Sequence, residues 1–91
     1  MNAGRYKLEK NNQSDWFDKQ FQIMIPKING ALNGTRYYIT GKSKSLNVIK
    51  RTQYTRTIVY TGTVEKVFAF LYGMHEALYM AGPELPEDGA I

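Results

Sequence analysis

The hydrophobic period of this chain changes once, at Thr61-Gly62-Thr63. Before that point, residues 36–41, 46–51 and 55–61 read as strands. After it, Val64, Val67, Phe68, Leu71 and Leu78 recur at helical spacing. A period of two suits a half-buried strand and a period near 3.6 suits an amphipathic helix, so the switch places a sheet ahead of a helix. Thr63 is a candidate N-cap, with Glu65 in the first turn, where the helix dipole favours an anion. Gly82-Pro83 ends the helix, because proline cannot continue one.

The segment before the sheet is harder to read. Residues 5–10 alternate and suggest a first strand, followed by turn chemistry at Asn11-Asn12-Gln13-Ser14. Residues 15–25 fit two templates. Phe17, Phe21, Ile23 and Ile25 share one face of a strand, whereas Phe17, Phe21 and Met24 share a helical stripe that Ser14 could cap. The clean alternation from Phe21 to Ile25, with Pro26 next, favours the strand. Residues 26–35 then read as a loop carrying two hairpin-type pairs, Asn29-Gly30 and Asn33-Gly34. Gly41-Lys42-Ser43-Lys44-Ser45 reads as a basic turn and Thr52-Gln53-Tyr54 as a hairpin loop.

The expected architecture is an α+β fold, an antiparallel β-meander of four to five strands packed on one C-terminal α-helix. Residues 1–82 form one domain and residues 83–91 a disordered acidic tail. The expected core comprises Leu8, Phe21, Ile23, Ile25, Ile39, Leu46, Val48, Ile58 and Tyr60, with Val64, Val67, Phe68, Leu71 and Leu78 from the helix.

Charge divides along the same boundary. Residues 1–62 hold eleven of the twelve basic side chains against three acids, +8, and residues 63–91 hold one base against five acids, −4, for a total of +4. Such asymmetry constrains partners more than fold. There is no cysteine among the 91 residues. Disulfides, thiolate nucleophiles and cysteine-based metal sites are therefore excluded, and a reducing cytoplasm is the expected location. The N-terminus lacks the apolar core of a signal peptide. The longest apolar stretch, from Val67 to Ala81, is too short and too polar to span a bilayer.

Two surfaces are candidate sites. Arg36, Lys42, Lys44, Lys50, Arg51 and Arg56, with Tyr54 as an aromatic anchor, gather around the last three strands and form a candidate partner-binding surface. On the helix, Ala69, Gly73 and Ala77 fall four apart, with Phe70 and Met80 nearby. Small residues at that spacing leave a groove for a second helix, which makes this face a candidate for homodimer formation or docking. His75 lies in the core-facing stripe, with Glu76 directed elsewhere, and is expected to be structural. Gly41-Lys42-Ser43 is no phosphate loop, because Arg36 stands where that motif needs its first glycine. No cofactor, metal ligand set or catalytic residue is expected, and the chain reads as a non-enzyme.

The meander ending Ile58-Val59-Tyr60-Thr61-Gly62-Thr63, followed by the helix opening Val64-Glu65-Lys66-Val67-Phe68-Ala69-Phe70-Leu71-Tyr72-Gly73, resembles small accessory proteins of bacteriophages. The resemblance covers roughly residues 46–80. It implies a small cytoplasmic protein of the host-takeover or anti-defence class, which binds and inhibits a host protein. Host defence nucleases and transcription machinery are typical targets of that class. The leading expectation is therefore stoichiometric binding to a host protein with an acidic or nucleic-acid-binding surface. Sequence-tolerant binding of DNA or RNA through the same basic surface, and self-assembly into a structural protein, are the alternatives. No membrane partner is expected.

Overall fold

Residues 15–25 form a helix, and not the strand that their alternation favours. In a computed structural model, which describes residues 6–10, 13–42 and 44–81, the element order is β1 (Tyr6–Lys7), α1 (Ser14–Ala31), β2 (Arg36–Lys42), β3 (Ser45–Arg51), β4 (Arg56–Gly62) and α2 (Val64–Glu76). A π-helical turn, Ala77–Ala81, continues α2. Of residues 80 and 81 only the backbone is described. The acidic tail expected at 83–91 lies outside the described residues.

The helical reading of α1 is decided by Ile23 and Ile25. In a strand they would share a face. Here Ile23 is 52% exposed and Ile25 only 5%. The buried residues of α1 are Phe17, Phe21, Met24, Ile25 and Ile28, spaced as one side of a helix. The helix runs through Pro26 to Ala31, so most of the expected loop at 26–35 is helical as well. Pro26 has no N–H to offer the preceding turn, a local loss that burial of Met24, Ile25 and Ile28 around it offsets. Of the two Asn-Gly pairs, only Asn33-Gly34 forms a turn, with Gly34 at φ +86°.

Topology explains why a helix wins here. Among the described residues β1 covers only Tyr6–Lys7 of the strand expected at 5–10, and it pairs parallel to β2, with Tyr6 opposite Gly41 and Lys7 opposite Lys42. Parallel neighbours require a crossover connection, and α1 supplies it. The remaining pairings are antiparallel, giving a sheet in the order β1-β2-β3-β4. The α+β class and the C-terminal helix packed on the meander are as expected. The second helix and the parallel edge are additions.

Both helices cover one face of the sheet. Phe17, Phe21, Met24, Ile25 and Ile28 of α1, Val67 and Leu71 of α2, and Ile39, Leu46 and Val48 of the sheet form one buried cluster together with Tyr6. Leu8, Tyr60, Val64, Phe68 and Leu78 pack around it, half-buried. At the start of α2 the hydroxyl of Thr63 accepts the N–H of Lys66 at 3.4 Å, with Glu65 in the first turn. At its far end the Tyr79 hydroxyl donates to the Lys27 carbonyl at 2.7 Å, tying the two helices together.

Ile58 is not a core residue, and the cause is a β-bulge. Val48 faces Tyr60 but Ile49 faces Ile58, so Val59 is inserted between the two pairings. One extra residue flips everything beyond it to the opposite side of the sheet. Tyr60 therefore stays beneath α2, where its ring stacks on Phe70 with centroids 4.7 Å apart and planes 10° apart. Ile58 moves to the other face and is 57% exposed.

Candidate partner-binding surface

Between Asp18 and Glu65 the chain contains no carboxylate side chain. β2, β3 and β4 fall wholly inside that interval, so the sheet carries cations without acids of its own. Its helix-free face is built in cross-strand rows. Residues directly opposite across a ladder point to the same side, about 4.5–5.5 Å apart.

One row is Arg36, Arg51 and Arg56, with Arg36 opposite Arg51 and Arg51 opposite Arg56. The next is Tyr38, Ile49 and Ile58. Beyond it, Thr40 faces Asn47, which faces Thr61, and the Thr61 hydroxyl donates to Asn47 Oδ1 at 2.9 Å. Ile49 is buried yet stands outside the helix-side cluster, as its place between Tyr38 and Ile58 requires. Among the described residues no element packs over this face, and none of the three arginines has an ion pair.

The arginine row ends at a tightly organised hairpin. Thr52 N–H donates to the Thr55 carbonyl at 2.9 Å, and the Thr52 hydroxyl oxygen accepts the N–H groups of Tyr54 at 3.2 Å and Thr55 at 3.0 Å. The two threonine hydroxyls lie 2.9 Å apart. This tip holds Tyr54 out into solvent, 85% exposed, beside Arg51 and Arg56. Beside it, a cleft of about 360 Å³ runs between the α1–β2 loop and the start of the hairpin, with Arg36 and Arg51 in its wall.

The seven residues picked from the sequence thus separate into groups. Arg36, Arg51, Arg56 and Tyr54 meet at one end of the sheet. Lys50 is next to them in sequence but, opposite Tyr37 and Thr57, projects on the helix side. Lys42 and Lys44 lie at the far end of the β2–β3 hairpin, roughly 20 Å away for seven-residue strands. Sequence reasoning did not align Tyr38, Ile49 and Ile58 in one cross-strand row: the bulge alone decides that Ile58 joins it, and no residue type signals that bulge.

Along α2 and the π-helical turn that continues it, Ala69, Gly73 and Ala77 are exposed, and a Cβ placed on Gly73 would meet nothing within 4 Å. Phe70 is half-buried against Tyr60, so it belongs to the helix–sheet packing. The side chain of Met80 lies outside the described residues. Trp16, half exposed, packs its ring on Phe17 and Phe68, with centroids 5.1 and 5.2 Å away. His75 is half-buried, as expected, with its ring 5.0 Å from that of Tyr79. Glu76 is not directed away from it: Nδ1 of His75 is 3.8 Å from the Glu76 carboxylate.

A second cleft, of about 290 Å³, lies where the two helices begin, between Leu8, Phe17 and Val64, with Lys44 and Glu65 at its margin. Among the described residues no three histidine, aspartate or glutamate side chains converge as a metal site would require. No helix among them is long and apolar enough to cross a membrane. No family model, curated protein or solved structure matches the chain.

Proposed function

We propose that this protein is a non-enzymatic binding module that holds a partner protein against the open face of its sheet. The observation that carries this reading is the adjacency of two rows, the apolar Tyr38–Ile49–Ile58 and Arg36–Arg51–Arg56, which has no ion pair among the described residues. An apolar centre beside a margin of arginine and tyrosine is the usual anatomy of a protein interface. Nucleic acid would use the arginines but has little use for an exposed isoleucine. The matching surface on the partner is an apolar patch edged by carboxylates. Opposite charge would steer the encounter, and burial of Ile58 would supply affinity.

The phage-type resemblance of residues 46–80 supports the further step that the partner is a bacterial host protein, inhibited by one-to-one occupation of its surface. The test compares capture from a bacterial lysate by the wild type, Ile58→Asp, Arg51→Glu and Gly73→Leu. Stoichiometric capture of one protein, lost in the first two variants and kept in the third, is expected. Capture that survives both open-face substitutions overturns the reading.

A second reading, sequence-tolerant binding of single-stranded nucleic acid, is favoured by Tyr54, which stands exposed beside Arg51 and Arg56. Stacking on that ring and phosphate contacts from the row would give log affinity falling linearly with log salt. No binding to DNA or RNA at low salt eliminates it.

A further inference from the structure

Arg36 and Arg51 stand opposite each other across the β2–β3 ladder, an arrangement that is unfavourable for like charges. Arg56 follows directly on the other side of Arg51. No carboxylate among the described residues pairs with any of the three. A protein of marginal stability retains such a row at a cost in free energy. An anion placed among the guanidinium groups would remove the repulsion and turn it into attraction.

The structure provides a place for that anion. The cleft of about 360 Å³ has Arg36 and Arg51 on its wall, with Gly34 and Thr35 on one side and Thr52 and Gln53 on the other. None of the described residues that line it is a carboxylate. Its borders are fixed at both ends. Gly34 turns the chain at φ +86°, a conformation that side-chain-bearing residues rarely adopt, and the Thr52 hydroxyl fastens the hairpin start through two backbone N–H groups. Planar forks from two arginines suit a tetrahedral oxyanion, whose several oxygens can each accept bonds from a different donor. The volume exceeds what a bare phosphate fills and falls at the low end of the range for small-molecule sites.

We propose that this cleft is a receptor for a small phosphate monoester, held by Arg36 and Arg51. The site is distinct from the apolar row assigned to the partner protein, although it shares the arginines. A phosphorylated ligand seated there would change the charge of the arginine row and so tune the electrostatic part of partner binding.

The test is a titration of the full chain with inorganic phosphate and with glycerol phosphate at constant ionic strength, followed by backbone amide shifts. Chloride and sulfate serve as reference anions. Saturable one-to-one shifts confined to residues 33–36 and 51–53 are expected. Affinity should fall at least tenfold in Arg36→Gln and in Arg51→Gln, fall less in Arg51→Lys, and stay unchanged in Lys42→Gln. Each glutamine variant relieves like-charge repulsion, so loss of fold does not confound the result, and thermal melts check this directly.

Ile58→Ala, which removes apolar contact without adding charge beside the arginine row, should leave the titration intact. Failure of the cleft and failure of the protein-binding face are therefore read separately. Shifts that never saturate, equal shifts with chloride, or equal weakening by Lys42→Gln reduce the effect to charge screening and overturn the proposal. So does binding of a single-stranded oligonucleotide without any binding of phosphate, which would assign the arginines to a polymer backbone.

Discussion

Asn29 and Tyr37 are joined by both polar groups of one amide side chain. Asn29 Nδ2 donates to the Tyr37 carbonyl at 3.1 Å, and Asn29 Oδ1 accepts the Tyr37 N–H at 2.7 Å. Among the described residues β1 pairs with β2 only at Gly41 and Lys42, and no strand neighbours the opposite end of that edge. The amide takes the place of one. It presents the same donor and acceptor that a strand residue would, from the last turn of α1.

Removing this clamp leaves two half-buried backbone groups without their partner. Asn29→Ala is expected to destabilise the fold by about 1–3 kcal/mol, measured as a lower urea midpoint at unchanged slope. Asn29→Asp should be nearly as damaging, because a carboxylate oxygen would then face the Tyr37 carbonyl. An aspartate variant as stable as wild type would show that the donor half of the clamp contributes nothing.

Two glycines should respond to alanine with opposite signs. Gly73 lies exposed within α2, where an added Cβ meets nothing within 4 Å, so Gly73→Ala should stabilise by up to about 1 kcal/mol. Gly41 sits at φ +104°, and a Cβ there would run into the Ser45 carbonyl. Gly41→Ala should therefore destabilise by more than the Gly73 variant gains. Thermal melts of the two single variants decide the matter.

The Tyr6 hydroxyl donates to Asp18 across twelve residues of sequence. Burial, then the hydrogen bond to Asp18, then the charge of Asp18, push its ionisation well above the usual phenol value. The folded state thus prefers the neutral form. The resulting stabilisation is complete below a pH of about 10, where the unfolded tyrosine begins to ionise, and is lost as pH rises beyond it toward the folded-state value. Tyr6→Phe should be less stable at neutral pH and should show a shallower decline between about pH 9.5 and 11. Parallel declines in the two proteins would remove Tyr6 as the cause.

The same elements show what a sequence can and cannot disclose. The strands around Ile39 and Val48, the cap at Thr63 and the stripe of Val67 and Leu71 are local patterns, and they fold as they read. The segment Phe21 to Ile25 reads equally well in two periods, and its fate is settled by a distant requirement, the crossover that a parallel β1 imposes on α1. Asn29-Gly30 has the chemistry of a hairpin, but the side chain of Asn29 has a partner eight residues on, at Tyr37, which no local rule anticipates. At the candidate surface, the arginines were legible as charge. Their alignment into one row depends on the register of two ladders, and the exposure of Ile58 depends on a bulge at Val59.

The most direct measurement is the affinity of the captured partner protein across a salt series, for the wild type, Ile58→Asp and the triple substitution Arg36→Gln, Arg51→Gln, Arg56→Gln. Ile58→Asp is expected to weaken binding at least tenfold at every salt concentration, because it removes apolar contact. The triple variant should chiefly slow association at low salt and converge on the wild type as salt rises. Unchanged affinity and unchanged salt dependence in both proteins would contradict the account, since the open face of the sheet would then take no part in binding.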